Sequence, residues 1–283
     1  MSKRVAFLST TGLEGFFVYD ELAVPPLAAR GVQVDTVPWR AEVDWTDYDA
    51  VVIRSTWDYQ DDAERFLGVL AAISARTRLF NPLEVVRWNI DKRYLLELEA
   101  SGVPIVPTRV HEGLTSSALD AGREAFGVDE IVVKPTVSAN ADGTFRLPRA
   151  VDASDALAAL ARRSVLVQPF APAIVEEGEV SVFAFAGAIS HAILKTPAEG
   201  DFRVQEEHGG RLKAIGMDAA LRAAAERAFA ALPGDLLYSR VDFVRYGGEW
   251  LLMEAELVEP SLYFTLDEGS AERFAEAVVG RGG

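Results

Sequence analysis

Over residues 1–88 short β-branched runs take turns with stretches of helical spacing, and that order leaves few folds open. Lys3–Leu8, Val32–Val37 and Ala50–Ile53 read as strands, the first ending in the turn-forming run Ser9-Thr10-Thr11-Gly12. Between Asp62 and Ser74 the apolar residues Phe66, Leu67, Leu70 and Ile73 recur at helical spacing. Strands that alternate with helices close as right-handed βαβ units around a parallel sheet. The fold class expected is therefore α/β.

The pattern then changes twice. Residues 89–167 hold a helix over Asp91–Ser101 that stops at Gly102, an extended piece around Pro104 and Pro107, and a helix over Ser116–Phe126. A strand at Ile131–Lys134 and an Ala-rich helix at Asp155–Arg163, behind an Asp152/Ser154 cap, complete that block. Residues 168–283 are richer in strand. Glu179–Ala186 and Ile189–Leu194 flank Gly187, and Val241–Val244 and Trp250–Leu257 flank Gly247-Gly248, so two hairpins are expected. Helices are expected over Met217–Leu232 and Ala271–Val279. With 283 residues, about two domains of ordinary size fit. The pattern instead suggests three compact lobes, 1–88, 89–167 and 168–283.

Composition removes several kinds of chemistry. There is no cysteine, so disulfides, thiolate metal sites and cysteine nucleophiles are excluded, and a reducing cytoplasm fits. The net charge of −15 repels a phosphate backbone, so no nucleic-acid partner is expected. No apolar run reaches the length of a membrane span, and the apolar stretch after Lys3-Arg4 is too short for a signal peptide. Neither G-x-x-x-x-G-K-[ST] nor G-x-G-x-x-G occurs, which removes P-loop and standard dinucleotide folds.

Only five of the 28 basic residues are lysine: Lys3, Lys92, Lys134, Lys195 and Lys213. Lys134 ends the apolar run Ile131-Val132-Val133 ahead of Pro135, and the small-residue stretch Ser138–Thr144 follows. This suits a lysine aimed at phosphate beside a closing loop. It also suits an edge lysine beside an ordinary surface loop. In Leu251–Leu257, strand period puts Glu254 and Glu256 on one face, and Asp242 lies amid apolar residues on the other hairpin arm. Buried carboxylates need a partner. Three hard oxygen donors suit Mg²⁺; ion pairs with Arg240 and Arg203 are the alternative. Val165–Phe170 reads as a strand broken at Pro169, which leaves backbone groups free to read an adenine edge or simply marks a crossover.

The order of these pieces resembles the ATP-grasp superfamily. Asn89-Ile90-Asp91-Lys92 comes first, then Val133-Lys134-Pro135 with its loop, Gln168-Pro169-Phe170, Glu179, Asp242 and Glu254-x-Glu256. The run Glu254–Pro260 is similar to that superfamily's E-x-N-x-x-x-P metal strand, with Glu256 where Asn is commoner. The resemblance covers about 200 residues, from Asn81 to Phe264, and the motif order rather than any single motif carries it. Arg54–Tyr59, Arg87-Trp88-Asn89 and Pro260–Phe264 are further similar to the group that holds the D-cycloserine-forming cyclo-ligase and bacterial glutathione-synthetase-like ligases.

The resemblance implies an ATP-grasp fold, with an N-terminal parallel-sheet domain and two lobes that clasp ATP. It implies a ligase that activates a small amino-acid-like carboxylate as an acyl phosphate for attack by an amine, or closes a ureido-amino-acid ring by the same chemistry. A non-catalytic nucleotide-binding protein is the rival of a different class. ATP and Mg²⁺ (or Mn²⁺) are the implied cofactors, and a homodimer is favoured. Lys92, Lys134, Ser138, Gly143, Gln168, Phe170 and Glu179 would bind the nucleotide, and Asp242, Glu254 and Glu256 the metal. Lys195 and Arg203 would serve the transferred phosphoryl or acyl group, and Arg240 the tetrahedral intermediate. Arg54 ends an apolar strand, where parallel sheets collect ligands. It is expected to face the cleft and hold the substrate carboxylate together with Arg203, unless it pairs with Asp58 or Asp61. His208 is the one histidine expected near substrate. His111 is expected exposed in a polar connector, and His191 as a satisfied strand residue.

Overall fold

The computed structural model describes residues 3–282. Strands β1 (Lys3–Ser9), β2 (Val32–Pro38), β3 (Ala50–Ser55) and β4 (Arg78–Phe80) form a parallel sheet in the order β2-β1-β3-β4. The helix Ala63–Ser74 buries Phe66, Leu70 and Ile73 against one face, and its N-cap Asp62 accepts from the N–H of Arg65. A short helix at Val24–Ala29, not foreseen, lies on the other face. Its Pro25 and Pro26 occupy the first turn, where an N–H would lack a partner anyway.

Strands β5 (Arg109–Glu112), β6 (Glu130–Pro135), β7 (Phe145–Pro148) and β8 (Ser164–Pro169) form an antiparallel sheet in the order β5-β8-β6-β7. Helices Ser116–Phe126 and Ser154–Leu160 close a core of its own, around Leu119, Ile131, Val133, Leu160 and Val167. The last sheet is β11-β10-β9-β12-β13, built from β9 (Glu179–Phe185), β10 (Ala188–Thr196), β11 (Arg211–Ile215), β12 (Tyr238–Tyr246) and β13 (Glu249–Glu256). Both expected hairpins are present. The turn Gly247-Gly248 has φ of 61° and 87°, the sign that the twist-matched two-residue turn requires. Helix Ala219–Ala231, capped by Asp218, covers part of this sheet.

Two features join the sheets. The C-terminal helix Ser270–Gly280 puts Phe274 against Phe7 of β1, Phe185 of β9 and Tyr238 of β12, with ring centroids 6.2, 5.5 and 6.4 Å away. The first and last sheets therefore share one apolar core. Residues 91–105, assigned to the middle lobe by their place in the sequence, instead pack on the last sheet. Helix Tyr94–Ala100 buries Tyr94, Leu95 and Leu98 beside Val182, Phe243 and Leu252, and Ile105 bridges to Leu252. The apolar face of that helix is covered there.

The strands β4, β5, β7 and β11 were not foreseen, being short, polar or at sheet edges. His111 accordingly lies within β5 rather than in a connector, half-buried, with Nε2 enclosed and unpartnered. His191 is a satisfied strand residue: it stacks on Phe183 at 4.2 Å, its Nε2 lies 3.1 Å from the Leu262 carbonyl, and burial lowers its pKa to about 4. Among the described residues no helix is long and apolar enough to cross a membrane.

Candidate active site

A cleft is lined by the middle and last sheets, with Phe17, Trp57 and Tyr59 of the first lobe at its wall. Three of the five lysines, Lys92, Lys134 and Lys195, line it and are buried, whereas Lys3 and Lys213 are exposed. Lys134 ends β6, and Lys92 lies just before helix Tyr94–Ala100. Both reach Glu254 on β13: Lys92 Nζ stands 3.3 Å from Oε1 and Lys134 Nζ 3.8 Å from Oε2. Burial pushes the Lys134 ammonium below its usual range, with Glu254 opposing. Burial also works against the Glu254 charge, but Lys92 and Lys134 outweigh it and hold the carboxyl below the usual carboxylate range.

A second cluster lies on β9, β10 and β12. Register places Glu179 opposite Lys195 and Ser181 opposite Asp242, and the strand period puts Arg240 and Asp242 on one face. Lys195 pairs with Glu179 and lies 3.6 Å from Asp242. Arg240 holds Asp242 with both arms of its fork, through Nε to Oδ1 at 3.1 Å and NH2 to Oδ2 at 3.0 Å, and also pairs with Glu256. Ser181 donates to Asp242 as well. Burial opposes the Asp242 charge, yet Arg240 and Lys195 bring its pKa to about 2.

Asp242 was expected as a metal ligand. Its oxygens accept from Arg240 and Ser181, with Lys195 close by, and it lines the same cleft as Glu254 and Glu256. Among the described residues no three acidic or histidine side chains converge as a metal cage. Of the three expected donors, those most open to a divalent cation are Glu254 and Glu256, which line the cleft with side chains 24% and 29% exposed. Mg²⁺ commonly takes one or two carboxylates and completes its shell with water and phosphate oxygens.

The far end of the cleft is apolar. Val106, Val132, Phe170, Ala171, Ile174, Phe202, Val244 and Met253 line it. Phe170 is fixed by Phe202 at 6.4 Å and by the Arg146 guanidinium 3.8 Å from its ring. Past the strand break the Phe170 N–H still donates to the Glu130 carbonyl, whereas that of the buried Ala171 finds no acceptor among the described residues. The Gln168 side chain also lines the cleft and donates to Thr108. Ser138 accepts from Lys92 through both its carbonyl and its hydroxyl. Its loop turns through Asn140, Ala141 and Gly143, with φ of 52°, 56° and 66°. Gly143 itself lies outside the lining, and its neighbour Thr144 is in it.

At the first-lobe wall the outcome is mixed. Trp57 and Tyr59 line the cleft, whereas Trp88 packs on Tyr94. Arg203 lines it too, held by both oxygens of Asp201. His208 does not line it. Arg54 overturns its expectation. It is 2% exposed and absent from the lining, and its fork grips Asp20 at 2.8–2.9 Å and the Pro260 carbonyl at 3.1 Å. Neither Asp58 nor Asp61 is its partner; Asp58 is taken by Trp39 and Arg40. Arg54→Lys keeps the charge but cannot hold both partners. It should lower the unfolding free energy by about 2 kcal/mol and leave the KM for ATP unchanged; equal stability with a raised KM for the acid would return Arg54 to the substrate.

Sequence patterns did not single out Glu259, which also lines the cleft. Burial, and then the nearby Glu256, push its carboxyl up to about 8. A raised carboxyl pKa means that the folded chain holds this proton more tightly than the unfolded one. Its contribution to stability is complete below the ordinary value of 4.5 and is lost as pH rises toward 8. Urea midpoints of the nucleotide-free protein between pH 5 and 8.5 should fall accordingly, and in Glu259→Gln that part of the fall should vanish.

A fold of this kind, with a lysine-lined cleft facing a two-glutamate strand, defines an ATP-grasp ligase, and comparison with known proteins agrees. Residues 5–81 match the family model described as D-cycloserine synthetase DcsG, N-terminal domain. The cycloserine biosynthesis protein DcsG of Streptomyces lavendulae is 36% identical over 91% of this chain and 93% of its own length. The crystal structure of D-cycloserine synthetase DcsG superposes with a TM-score of 0.86 at 33% identity, covering 98% of this chain and 99% of that one. A RimK domain ATP-grasp protein from Sphaerobacter thermophilus shares the fold alone, with a TM-score of 0.70 at 22% identity over 98% and 100% of the two chains. The chain belongs to the DcsG family of ATP-grasp ligases. It is an enzyme, and its chemistry is ATP-dependent ligation of a carboxylate to an amine, with ring closure within one molecule as a variant of the same reaction.

Proposed function

We propose that the chain binds Mg·ATP in this cleft, phosphorylates the carboxylate of a small amino-acid-like substrate, and joins the activated carbon to a nitrogen of the same molecule. Whole-length kinship with a cycloserine biosynthesis protein supports the ring-closing form. The observation that carries the phosphoryl chemistry is the convergence of Lys92 and Lys134 on Glu254, from the two sides of one cleft. In this reading residues 1–88 form the substrate side, and the lobes 89–167 and 168–283 clasp the nucleotide.

The chain's own groups answer the difficulty of the reaction, which is negative charge meeting negative charge. The apolar wall of Val132, Phe170 and Met253 takes the adenine ring, and the free Ala171 N–H is available to its edge. Lys92, Lys134 and the loop at Ser138 hold phosphate oxygens. Glu254 and Glu256 would hold Mg²⁺, which when bound neutralises developing phosphoryl charge. A carboxylate oxygen attacks the γ-phosphorus and the bond to ADP breaks, leaving an acyl phosphate. The substrate nitrogen then adds to the carbonyl carbon, and phosphate departs as the nitrogen loses a proton. Arg240 and Lys195, fixed by Asp242 and Glu179, face the oxygen that becomes negative during this addition, and Arg203 reaches the same end. Because these cations are already oriented, little reorganisation is needed.

The test is ATP turnover with single ureido- and carbamoyl-amino acids, compared with acid-plus-amine mixtures, with products read by mass spectrometry. ADP and a cyclic product from one substrate alone are expected. Release of AMP would remove the acyl phosphate, and product formed only when a second amine is added would replace ring closure by linear ligation.

A further inference from the structure

The turn after β13 has no regular structure, yet its carbonyls are held one by one. That of Val258 accepts from the Tyr238 hydroxyl at 2.7 Å, that of Glu259 from the Trp57 indole at 3.0 Å, that of Pro260 from Arg54 at 3.1 Å, and that of Ser261 from Arg240 at 3.4 Å. Four consecutive residues are thus positioned by side chains from β3, β12 and the turn that follows β3. A backbone fixed this way presents its own side chains with the precision of a sheet.

Glu259 is the residue this arrangement places at the first-lobe wall of the cleft, beside Trp57. Its carboxylate makes no ion pair among the described residues. The other acids of the cleft are matched: Glu179 with Lys195, Asp242 with Arg240, Glu254 with Lys92 and Lys134, Glu256 with Arg240, and Glu206 with the Tyr19 hydroxyl. Glu207, the remaining one, is exposed to water. A rigidly held carboxyl with no ion-pair partner is complementary to a cation that arrives with the substrate, since the incoming charge favours the ionised form.

We propose that Glu259 is a specificity residue, holding a primary ammonium group of the acid that is activated. The assignment rests on the ligase reading above and deepens it. An amine held as ammonium has no lone pair and cannot attack the acyl phosphate. Glu259 therefore also selects the nucleophile: the amine beside it stays free in the product, and another nitrogen forms the new bond.

Calorimetric titration of the whole protein with saturating Mg·ADP tests this, using two pairs of ligands that differ by one amine: D-cycloserine against isoxazolidin-3-one, and D-alanine against propionate. The wild-type protein is expected to prefer the amine-bearing member of at least one pair by about 30-fold, the scale of a desolvated charge contact. Glu259→Gln should lose that preference and keep wild-type affinity for Mg·ATP. Equal binding within both pairs, or none, overturns the proposal, as does a preference that survives in Glu259→Gln. Loss of Mg·ATP affinity in that variant overturns it too, because Glu259 would then serve the metal. If Glu259→Gln does not fold, Glu259→Asp should weaken only the amine-bearing ligands, and equal weakening of both members refutes the assignment. ADP release is a separate readout: amine preference without turnover of any acid refutes the ligase reading and not the ammonium site.

Discussion

Asp242→Ala is expected to lower the unfolding free energy by about 3–5 kcal/mol and to abolish turnover. The aspartate accepts from both arms of Arg240 and from Ser181, and lies 3.6 Å from Lys195. Its removal leaves a buried guanidinium with only Glu256 as counter-charge, and a buried ammonium with only Glu179. The cost is that of cations left without their counter-charge, not of a lost contact alone. Asp242→Asn keeps the shape and one acceptor and should fall between wild type and Ala. Urea unfolding followed by fluorescence gives the stability, and ADP release gives the turnover. An Asp242→Ala protein within 1 kcal/mol of wild type, on the scale of an ordinary surface change, would mean that the cluster rearranges around the gap.

Glu254→Gln should show the opposite profile, with turnover reduced by about 10²–10³-fold, the usual loss when one group that stabilises transition-state charge is removed, and little change in stability. Glu254 keeps 24% of its side chain exposed and stands 3.3 and 3.8 Å from its lysines, so these cations can rehydrate when its charge goes. Turnover at saturating Mg·ATP, with the urea midpoint measured in parallel, separates the two effects. A variant that unfolds early while its activity per folded molecule is normal would make Glu254 a structural counter-ion.

These two residues also show what a sequence discloses. Lys134 and Glu254 are legible because a charged side chain interrupts an apolar strand, and strand period says which way it faces. The same reasoning placed Asp242 among the metal donors, but it did not show that Arg240, two residues earlier on the same face, would donate to both its oxygens. Arg54 was read correctly as a strand end and wrongly as a substrate ligand, since its partner Asp20 lies 34 residues away on a short 3-10 turn that no pattern announced. Glu259 left no periodic trace because it sits in a turn, where contacts are set by donors from distant strands. The hairpins and the long helices were legible for the converse reason: their glycines and caps act locally. Edge strands such as Arg78–Phe80 are too short for any period to show.

The shared core around Phe274 decides how the enzyme can open. Because one helix is wedged between the first and last sheets, those two sheets behave as a single body, and parting them would expose Phe7, Phe185 and Tyr238 together. The middle sheet keeps an apolar centre of its own on one face, and Val110 and Leu166 of its strands join the core of the last sheet beside the cleft. Any opening of the cleft is then left to the middle sheet, which carries Lys134, at the cost of contacts such as those of Val110 and Leu166, while the wall that carries Arg240, Glu254 and Glu259 stays assembled. The side chains on that wall therefore keep their mutual geometry through such an opening, and it does not have to be rebuilt each time the cleft closes.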